Sequence, residues 1–267
     1  MNSWRKLETG IFVPDSVAGD WDRVARPRYV AHVDMLGMSG LTVRNPRLAW
    51  AAASKMTEAK KKVLAYSLTV DGRNVLIAEH VAAFTFSDTI LLFTKGDDSD
   101  DLRGLLIVCL ELFAQVLHGS IPVRMGIAHG LFVFNGDEGL FVGPPLVEAY
   151  KLGEEAQWIG AVVDDTVATR TGELTPEFLS EGLPLVVDWQ VPVKASGDVE
   201  TISTATRHVL SWPRSHRRNF TVQPPIDVSD FYRAFEQHFG ALSNLPRKDQ
   251  EKYANTVEFV NAMLASG

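Results

Sequence analysis

Two aspartates that each close an apolar stretch are the residues of this sequence best suited to chemistry. Asp34 ends the run Tyr29–Val33, and Asp88 ends the run Ala82–Ser87. Burying an unpaired charge is costly, so packing alone does not explain a carboxylate at the end of a strand-like run. Two carboxylates that meet at one point form a site for a hard cation such as Mg²⁺ or Mn²⁺, which can carry phosphates. The pair therefore indicates a nucleotide enzyme, with turn formation or capping as the alternative role.

The composition is that of an ordinary globular protein with a sizeable core. The chain has 267 residues, 46% of them hydrophobic and 22% charged, so we expect one large domain or one domain with an extension. The net charge of −7 provides no general basic field, and we expect no nucleic-acid partner. Cys109, the only cysteine, lies in the apolar run Leu105–Val116 and is expected to be a packed core thiol. A disulfide within one chain is therefore excluded, which fits a reducing cytoplasm.

No pattern in the sequence indicates export or a membrane span. The residues Met1–Lys6 lack the continuous apolar stretch of a signal peptide, and no run of about 18 apolar residues occurs. We therefore expect a cytoplasmic protein without membrane contact. The one basic cluster, Pro213–Arg218, is interpreted as a solvated loop, with an RNA or phage-component contact as the alternative.

The elements that must position the two aspartates follow a recognisable order. We predict a strand at Tyr29–Val33, a helix at Arg47–Leu68, two strands within Val75–Thr94, a helix from Asp97 to about Leu117, a strand at Ile121–Val133, a helix at Pro145–Gln157 and a strand at Gly160–Val163. This order begins as βαββαβ, which predicts an α+β fold with a ferredoxin-like sheet. Two further strands are predicted at about 184–193 and 201–210, and a helical end at Ser229–Ala265.

The same pattern divides the chain into three parts. Residues 1–27 lack periodicity and are interpreted as an irregular N-terminal segment. Residues 28–212 contain the predicted sheet and form the main domain, and residues 213–267 form a C-terminal helical extension. We expect the aromatic residues of the extension to pack onto the main domain or onto a second copy of the chain.

Four segments resemble, in their order along the chain, the class III nucleotidyl cyclases. In that family an aspartate closes the first strand before a loop over the triphosphate, and a second aspartate lies in the hairpin between the second and third strands. The matching segments are Asp34 with Met35–Met38, then Ser87-Asp88, then Ile121–Gly130, which is similar to the family's Arg-x-Gly-Ile-x-x-Gly strand, and Phe141–Pro144. The resemblance implies that the main domain is a class III cyclase domain.

The resemblance also implies a chemistry, in which the ribose 3′-oxygen attacks the α-phosphorus and pyrophosphate leaves. It implies two divalent ions per site, Mn²⁺ or Mg²⁺, held by Asp34 and Asp88 with the Met35 carbonyl as a further ligand. Backbone N–H groups would cradle the phosphates without side-chain charge. The loop residues implied in that role are Leu36, Gly37 and Met38.

Negative charge develops on the phosphates during the reaction, and a positive side chain would stabilise it. Two lysines are candidates for that side chain. Lys194 lies in Val193–Gly197, which resembles the family's late Val-Lys-Gly segment, and is the first candidate. Lys151 lies where many relatives carry a transition-state arginine, which a lysine replaces only as a point charge. The alternative for both lysines is a solvated position. Arg124 is predicted to pair with an acidic neighbour in the sheet, with nucleotide contact as the alternative.

Apolar residues stand where adenylate-type relatives read the base. Phe84, four residues before Asp88, replaces their lysine, Leu140 lies near their aspartate, and Val147 lies near their ribose-orienting asparagine. With the segment Val142–Tyr150, these features resemble the bacterial pyrimidine (uridylate) cyclases of Pycsar antiphage defence. That resemblance implies UTP as substrate and cyclic UMP as a messenger. A CTP or ATP cyclase and a non-catalytic nucleotide-binding module are the alternatives.

The resemblance has a consequence for assembly. Family members place the metal aspartates on one protomer and the base and transition-state groups on the other. A head-to-tail homodimer with two composite active sites is therefore implied.

Overall fold

The computed structural model describes residues 4–6, 12–14, 24–70, 73–174, 184–194, 202–215 and 225–265. Its strands are β1 (Trp4–Lys6), β2 (Phe12–Pro14), β3 (Arg26–Met35), β4 (Ser67–Val70), β5 (Arg73–Leu76), β6 (Val81–Phe86), β7 (Thr89–Thr94), β8 (Val123–Asn135), β9 (Leu140–Val142), β10 (Ala161–Val163), β11 (Val186–Lys194) and β12 (Ile202–Leu210). Its helices are α1 (Met38–Arg44), α2 (Pro46–Leu64), α3 (Ser99–His118), α4 (Pro144–Glu155), α5 (Asp165–Gly172), α6 (Trp212–Ser215), α7 (Val228–Tyr232), α8 (Glu236–Phe239) and α9 (Arg247–Ala265).

An eight-stranded sheet forms the centre of the main domain. Seven strands follow the order β11-β12-β10-β8-β3-β7-β6, and β9 pairs with β8. Within it, β3, α2, β6, β7, α3 and β8 form a βαββαβ unit whose strands lie in the order β8-β3-β7-β6, with antiparallel neighbours. The fold class expected from the sequence, α+β with a ferredoxin-like βαββαβ unit, is confirmed.

The sheet separates two cores, because successive side chains of a strand point to opposite faces. On β3, Tyr29, Ala31 and Val33 belong to the principal core, which also contains the buried side of α3. Val30 belongs to a smaller core on the other face, rich in phenylalanine. Cys109 of α3 is fully buried, so the prediction of a packed core thiol is confirmed, and burial raises the pKa of its thiol.

Two sequence predictions about local structure were wrong in their bounds. The helix predicted to reach Leu68 ends at Leu64, and Ser67–Val70 instead forms strand β4, paired with β5. The helix formers of α2 give way there to residues that favour strands, since Thr69 and Val70 are β-branched. The first of the two strands predicted within Val75–Thr94 was expected to begin at Val75. That residue instead belongs to β5, and the strand of the central sheet, β6, begins at Val81.

The sequence reasoning also omitted α1, and in the second half of the main domain it omitted α5. Asp164 caps it, since its carboxylate accepts a hydrogen bond from the backbone N–H of Val167 at 2.7 Å. An aspartate before a short helical stretch is a recognised start signal, so this helix was detectable. Residues Ala195–Gly197 of the segment Val193–Gly197, the basic residues His216–Arg218 and most of the segment 1–27 lie outside the described residues.

The C-terminal helices pack onto the main domain. Phe259 of α9 contacts the rings of Trp158 and Trp212, with centroid distances of 4.8 and 6.4 Å. The hydroxyl of Thr256 accepts a hydrogen bond from the N–H of Ile159 at 2.8 Å. The extension therefore contributes to the principal core, as expected for its aromatic residues. None of the described helices combines the length and the apolar character needed to cross a bilayer.

Candidate functional site

The strand pairing places the two aspartates side by side. Asp34, near the end of β3, lies opposite Thr89 of β7, directly after Asp88. The backbone N–H of Met35 donates to the carbonyl of Asp88 at 3.2 Å. Ser87, before Asp88 in the turn, has φ +52°, a conformation that costs a non-glycine residue energy. The turn between β6 and β7 thus holds Asp88 against the end of β3.

The electrostatics show that the two carboxylates are close enough to interact. Burial raises the pKa of Asp34, the guanidinium of Arg124 opposes that change, and the charge of Asp88 raises the pKa further. Asp34 and Asp88 are both only partly exposed. Two negative charges held close together repel each other, unless the two carboxylates share a cation. The arrangement therefore brings two partly buried carboxyl groups close enough for their charges to interact.

Arg124 already supplies a cation to this pair. It lies opposite Asp34 on β8, and its Nε and Nη2 both donate to Asp34 Oδ2, at 3.0 and 2.8 Å. The prediction that Arg124 pairs with an acidic neighbour in the sheet is confirmed. Its side chain is only 11% exposed, so the guanidinium depends on such partners to offset its burial.

Glu154, in the last turn of α4, extends this network. One of its carboxylate oxygens contacts Arg124 Nη2, and the other lies 3.2 Å from Lys194 Nζ. The end of β11 is held there by a bridge between Ala156 and Val193. Burial and the charge of Arg124 lower the pKa of Lys194. The sequence reasoning missed Glu154 entirely.

The structure therefore connects one of the two predicted lysines to the aspartate pair, through Glu154 and Arg124. Lys151 lies elsewhere in the same chain, on the exposed side of α4. It lines a cavity of about 540 Å³ with Asp164, Asp188 and His208, and the residues around that cavity include neither Asp34 nor Asp88. Within one protomer, Lys151 and the aspartate pair belong to different sites.

The loop after Asp34 adopts a defined turn. The N–H of Leu36 donates to the carbonyl of Pro122 at 2.9 Å, so this amide is already engaged. Gly37 has φ +77°, and a Cβ on it would lie 3.2 Å from the ring of Phe239. Met38 begins α1 and is 9% exposed. The C-terminal extension thus packs directly on the loop implied to hold phosphate.

The base-reading positions are apolar in the structure as in the sequence. Phe84 packs on Phe141, with ring centroids 4.8 Å apart, at the border of the phenylalanine-rich core. Leu140 is 54% exposed and Val147 is 53% exposed. No carboxylate or ammonium group of the adenylate type therefore occupies these positions.

Two histidines of the central sheet, on β3 and β8, have polar neighbours. His32 lies two residues before Asp34, with its ring edge-on to Tyr150 at 5.3 Å, and burial lowers its pKa to about 4. It is therefore neutral at pH 7. His129 Nε2 lies 3.2 Å from a carboxylate oxygen of Asp97. Neither ring is fully buried, so both sit at the margin of the core.

A second group of polar side chains lies at the opposite ends of β6 and β7. Within the described residues, His80, Asp98 and Asp101 have ligand atoms within 4.8 Å of one another, a spacing that could hold a metal ion. Asp101 contacts His80 Nδ1 at 2.9 Å and accepts from the N–H of Gly96, while Asp98 caps α3. These bonds within the protein account for the cluster, and it includes neither Asp34 nor Asp88.

The bond between His80 and Asp101 predicts a pH-dependent contribution to stability. The hydrogen bond to Asp101 raises the pKa of His80. A raised histidine pKa stabilises the folded chain fully below the unfolded value of about 6.5, and this contribution is lost as pH rises through the folded pKa. His80→Gln should therefore cost about 1–2 kcal/mol at pH 5.5 and less at pH 8.5.

Urea unfolding of both chains at the two pH values measures this difference. His118→Gln, at the exposed far end of α3, is the matched control and should show a smaller pH dependence. An equal cost of His80→Gln at both pH values would mean that the ion pair contributes nothing.

Comparison with known proteins gives a likeness of fold. No protein-family model matches the sequence, and no curated protein matches it either. Similar solved structures are class III adenylyl and guanylyl cyclase catalytic domains. The adenylyl cyclase CyaB from P. aeruginosa is 11% identical, with a TM-score of 0.45 over 70% of this chain and 94% of that chain.

Two further structures are similar to about the same degree. The catalytic core of a rhodopsin-guanylyl cyclase with converted specificity, in complex with ATPαS, is 12% identical, with a TM-score of 0.46 over 70% of this chain and 96% of that chain. The adenylate/guanylate cyclase/hydrolase from Silicibacter pomeroyi is 16% identical, with a TM-score of 0.41 over 70% of this chain and 98% of that chain. The likeness is distant and concerns the arrangement of strands and helices.

Proposed function

We propose that this protein is a divalent-metal-dependent nucleotidyl cyclase that converts UTP to cyclic UMP and pyrophosphate. The observation that carries the proposal is the position of Asp34 and Asp88, held side by side by the pairing of β3 with β7. A second support is the cationic group beside them, in which Arg124 and Lys194 share Glu154. The two carboxylates could bind metal ions that carry a triphosphate, and the neighbouring cations could contact its phosphates.

The donor set at the aspartate pair fits Mg²⁺ or Mn²⁺. Both side chains offer carboxylate oxygens, which these hard cations prefer. Asp34 Oδ2 already holds a cation in the form of the Arg124 guanidinium. In the proposed enzyme Asp34, Asp88 and the Met35 carbonyl would hold two ions. Such ions, when bound, neutralise triphosphate charge and favour ionisation of the attacking ribose hydroxyl.

The chain's own residues would bind and orient the triphosphate. The amide of Leu36 is engaged with Pro122, so the proposed backbone contacts to phosphate fall on Gly37 and Met38. Lys194, partly buried and close to Arg124, would place positive charge where charge develops on the leaving pyrophosphate.

The choice of UTP rests on the base-reading positions. Phe84 and Leu140 provide apolar contacts where a purine reader would provide a charge. Together with the resemblance of Val142–Tyr150 to pyrimidine cyclases, this supports a uridylate cyclase and a messenger role in antiphage signalling in the cytoplasm. CTP and ATP are the alternative substrates.

A homodimer would complete the site. Lys151 lines a cavity away from the aspartates of its own chain, so it can reach a metal site only in a second copy. Large apolar side chains are exposed on the elements that carry or adjoin the site, namely Phe86, Leu140, Val142, Val147 and Tyr150. Such a group is typical of an interface. Sedimentation equilibrium should give a dimer mass, and a monomer at assay concentrations would contradict composite sites.

The experiment that tests the activity uses the purified 267-residue chain. It is incubated separately with UTP, CTP, ATP and GTP in the presence of Mn²⁺, and products are identified by mass spectrometry. Cyclic UMP as the main product supports the proposal. A cyclic purine product would contradict only the pyrimidine assignment, and no cyclic product from any nucleotide would contradict the enzyme.

The second candidate function is nucleotide binding without turnover. Arg124 is already hydrogen-bonded to Asp34, which leaves that carboxylate paired within the protein. Val147 and Lys151 replace residues that are catalytic in the cyclase family that the sequence resembles. Binding of UTP with Mn²⁺, measured by calorimetry, combined with the absence of product, would identify this module.

A further inference from the structure

We propose that Glu154 is a positioning residue that receives Arg124 when a divalent ion binds Asp34. The inference rests on the metal site of the proposed function, but it concerns metal binding rather than turnover. Glu154 would act as an exchange partner, so that the guanidinium leaves the aspartate without leaving the site.

The guanidinium of Arg124 stands between two carboxylates. Its Nη2 donates to Asp34 Oδ2 at 2.8 Å and also contacts an oxygen of Glu154, while its Nη1 lies 3.4 Å from the Glu154 carbonyl. Two acceptors on different elements thus share one cation. Arg124 can therefore exchange one partner for the other through a small change in side-chain torsion.

A divalent ion at Asp34 would compete with this arrangement. The ion and the guanidinium would share one carboxylate, that of Asp34, and their positive charges would repel each other. Arg124 is 11% exposed and cannot give up a partner cheaply, because an unpaired buried charge is strongly unfavourable. With Glu154 present, the displaced guanidinium keeps a full ion pair. Without it, Arg124 would remain on Asp34 and hinder the metal.

Glu154 also restrains Lys194. The other oxygen of its carboxylate lies 3.2 Å from Lys194 Nζ, so one side chain contacts both cations. The bridge between Ala156 and Val193, together with the hydrogen bond from the N–H of Gln157 to the carbonyl of Pro192 at 2.7 Å, fixes the ends of α4 and β11 relative to each other. The acceptor is therefore held in place by backbone contacts.

The proposal predicts opposite effects of two substitutions on metal affinity. Glu154→Gln should weaken Mn²⁺ binding about tenfold, a typical effect for a group that orients a metal ligand. Arg124→Gln should strengthen binding, because it removes the competing cation. In the Arg124→Gln background, Glu154→Gln should have little further effect, since Glu154 acts through Arg124.

The experiment is a titration of Mn²⁺ by electron paramagnetic resonance on wild-type protein, both single variants and the double variant. Asp34→Asn identifies the site, because it should remove the binding. Glu258→Gln is the control, since Glu258 is an exposed acid on α9. It should leave the affinity unchanged, and circular dichroism melts confirm that each variant is folded.

Three results would overturn the proposal. One is an unchanged affinity in Glu154→Gln, and another is equal weakening in both backgrounds, which would mean a direct effect of charge on the ion. The third is the absence of any Mn²⁺ binding that depends on Asp34. Because no product is measured, a chain that shows the predicted pattern but makes no cyclic nucleotide would retain this role for Glu154 and lose only the proposed activity.

Discussion

Asp34→Asn and Asp88→Asn should each lower the rate of cyclic nucleotide formation by about 10³-fold or more. Each substitution removes one of the two carboxylates that the strand pairing brings together. Metal ions stabilise transition-state charge by several kcal/mol, and each 1.4 kcal/mol changes a rate about tenfold. Initial rates with Mn²⁺ and the preferred nucleotide, followed by chromatography, measure the loss.

The same substitution at Asp34 should not weaken the fold. Burial and the charge of Asp88 raise the pKa of Asp34 despite the opposing effect of Arg124. A carboxyl group whose pKa is higher in the folded chain takes up protons on folding, so the stability it contributes falls as pH rises through the interval between its unfolded and folded pKa. At pH 7.5 the Asp34→Asn chain should therefore unfold at nearly the same temperature as the wild type, because relief of the buried charge offsets the lost hydrogen bonds from Arg124, which keeps its contact with Glu154.

This combination separates a functional role from a structural one. Asp100→Asn is the control, because Asp100 is an exposed acid of α3 whose ion pair with Arg103 lies within one turn of the helix. It should change neither rate nor melting temperature appreciably. Asp34→Asn activity within tenfold of wild type would place the metal site elsewhere. A fall in melting temperature would instead assign Asp34 to the fold.

The sequence was informative about this pair because of how each aspartate interrupts its surroundings. A charge at the end of an apolar run marks the end of a strand, and antiparallel pairing then decides which ends meet. The partner of Arg124 followed from the same logic, since β3 and β8 pair with Asp34 opposite Arg124. Local patterns were sufficient wherever adjacent strands decided the contact.

Local patterns failed where two signals competed or where contacts were distant. The run of helix formers in α2 was extended past Leu64, although Asp71-Gly72 is a strong hairpin signal a few residues later. The position of Glu154 next to Lys194 depends on a backbone bridge between Ala156 and Val193. The hydrophobic periodicity of the sequence does not reveal such a contact. One signal was present, since acidic residues in the last turn oppose the helix dipole and call for another explanation.

Gly126→Ala should destabilise the protein by about 3 kcal/mol or more. This loss equals or exceeds the largest cost that is usual when a methyl group is forced into a packed core. A Cβ on Gly126 would lie 1.9 Å from the carbonyl oxygen of Ala149 and 2.9 Å from the backbone nitrogen of Gly153. Both are main-chain atoms of α4, so no side-chain rotation can relieve the clash. For a domain of this size the melting temperature should fall by about 6–12 °C.

Gly153→Ala is the matched control because it adds the same methyl group from the other side of the contact. Its Cβ would meet Gly126 N at 3.4 Å and the Met125 carbonyl carbon at 3.6 Å, which is ordinary contact. A helical glycine replaced by alanine gains up to about 1 kcal/mol of helix propensity, so this variant should be as stable as wild type or more stable. Equal losses in both variants would contradict the argument.

The Gly126 contact also determines the spacing of the site. Gly126 is two residues from Arg124 on β8, and the turn of α4 that it touches carries Glu154. Because the clash can be relieved only by moving α4 away from the strand, any folded Gly126→Ala protein should separate Arg124 from Glu154. Its Mn²⁺ affinity should then fall as it does in Glu154→Gln, whereas Gly153→Ala should bind Mn²⁺ like the wild type. A folded Gly126→Ala chain with wild-type affinity would show that the approach of α4 to β8 does not position the exchange partner.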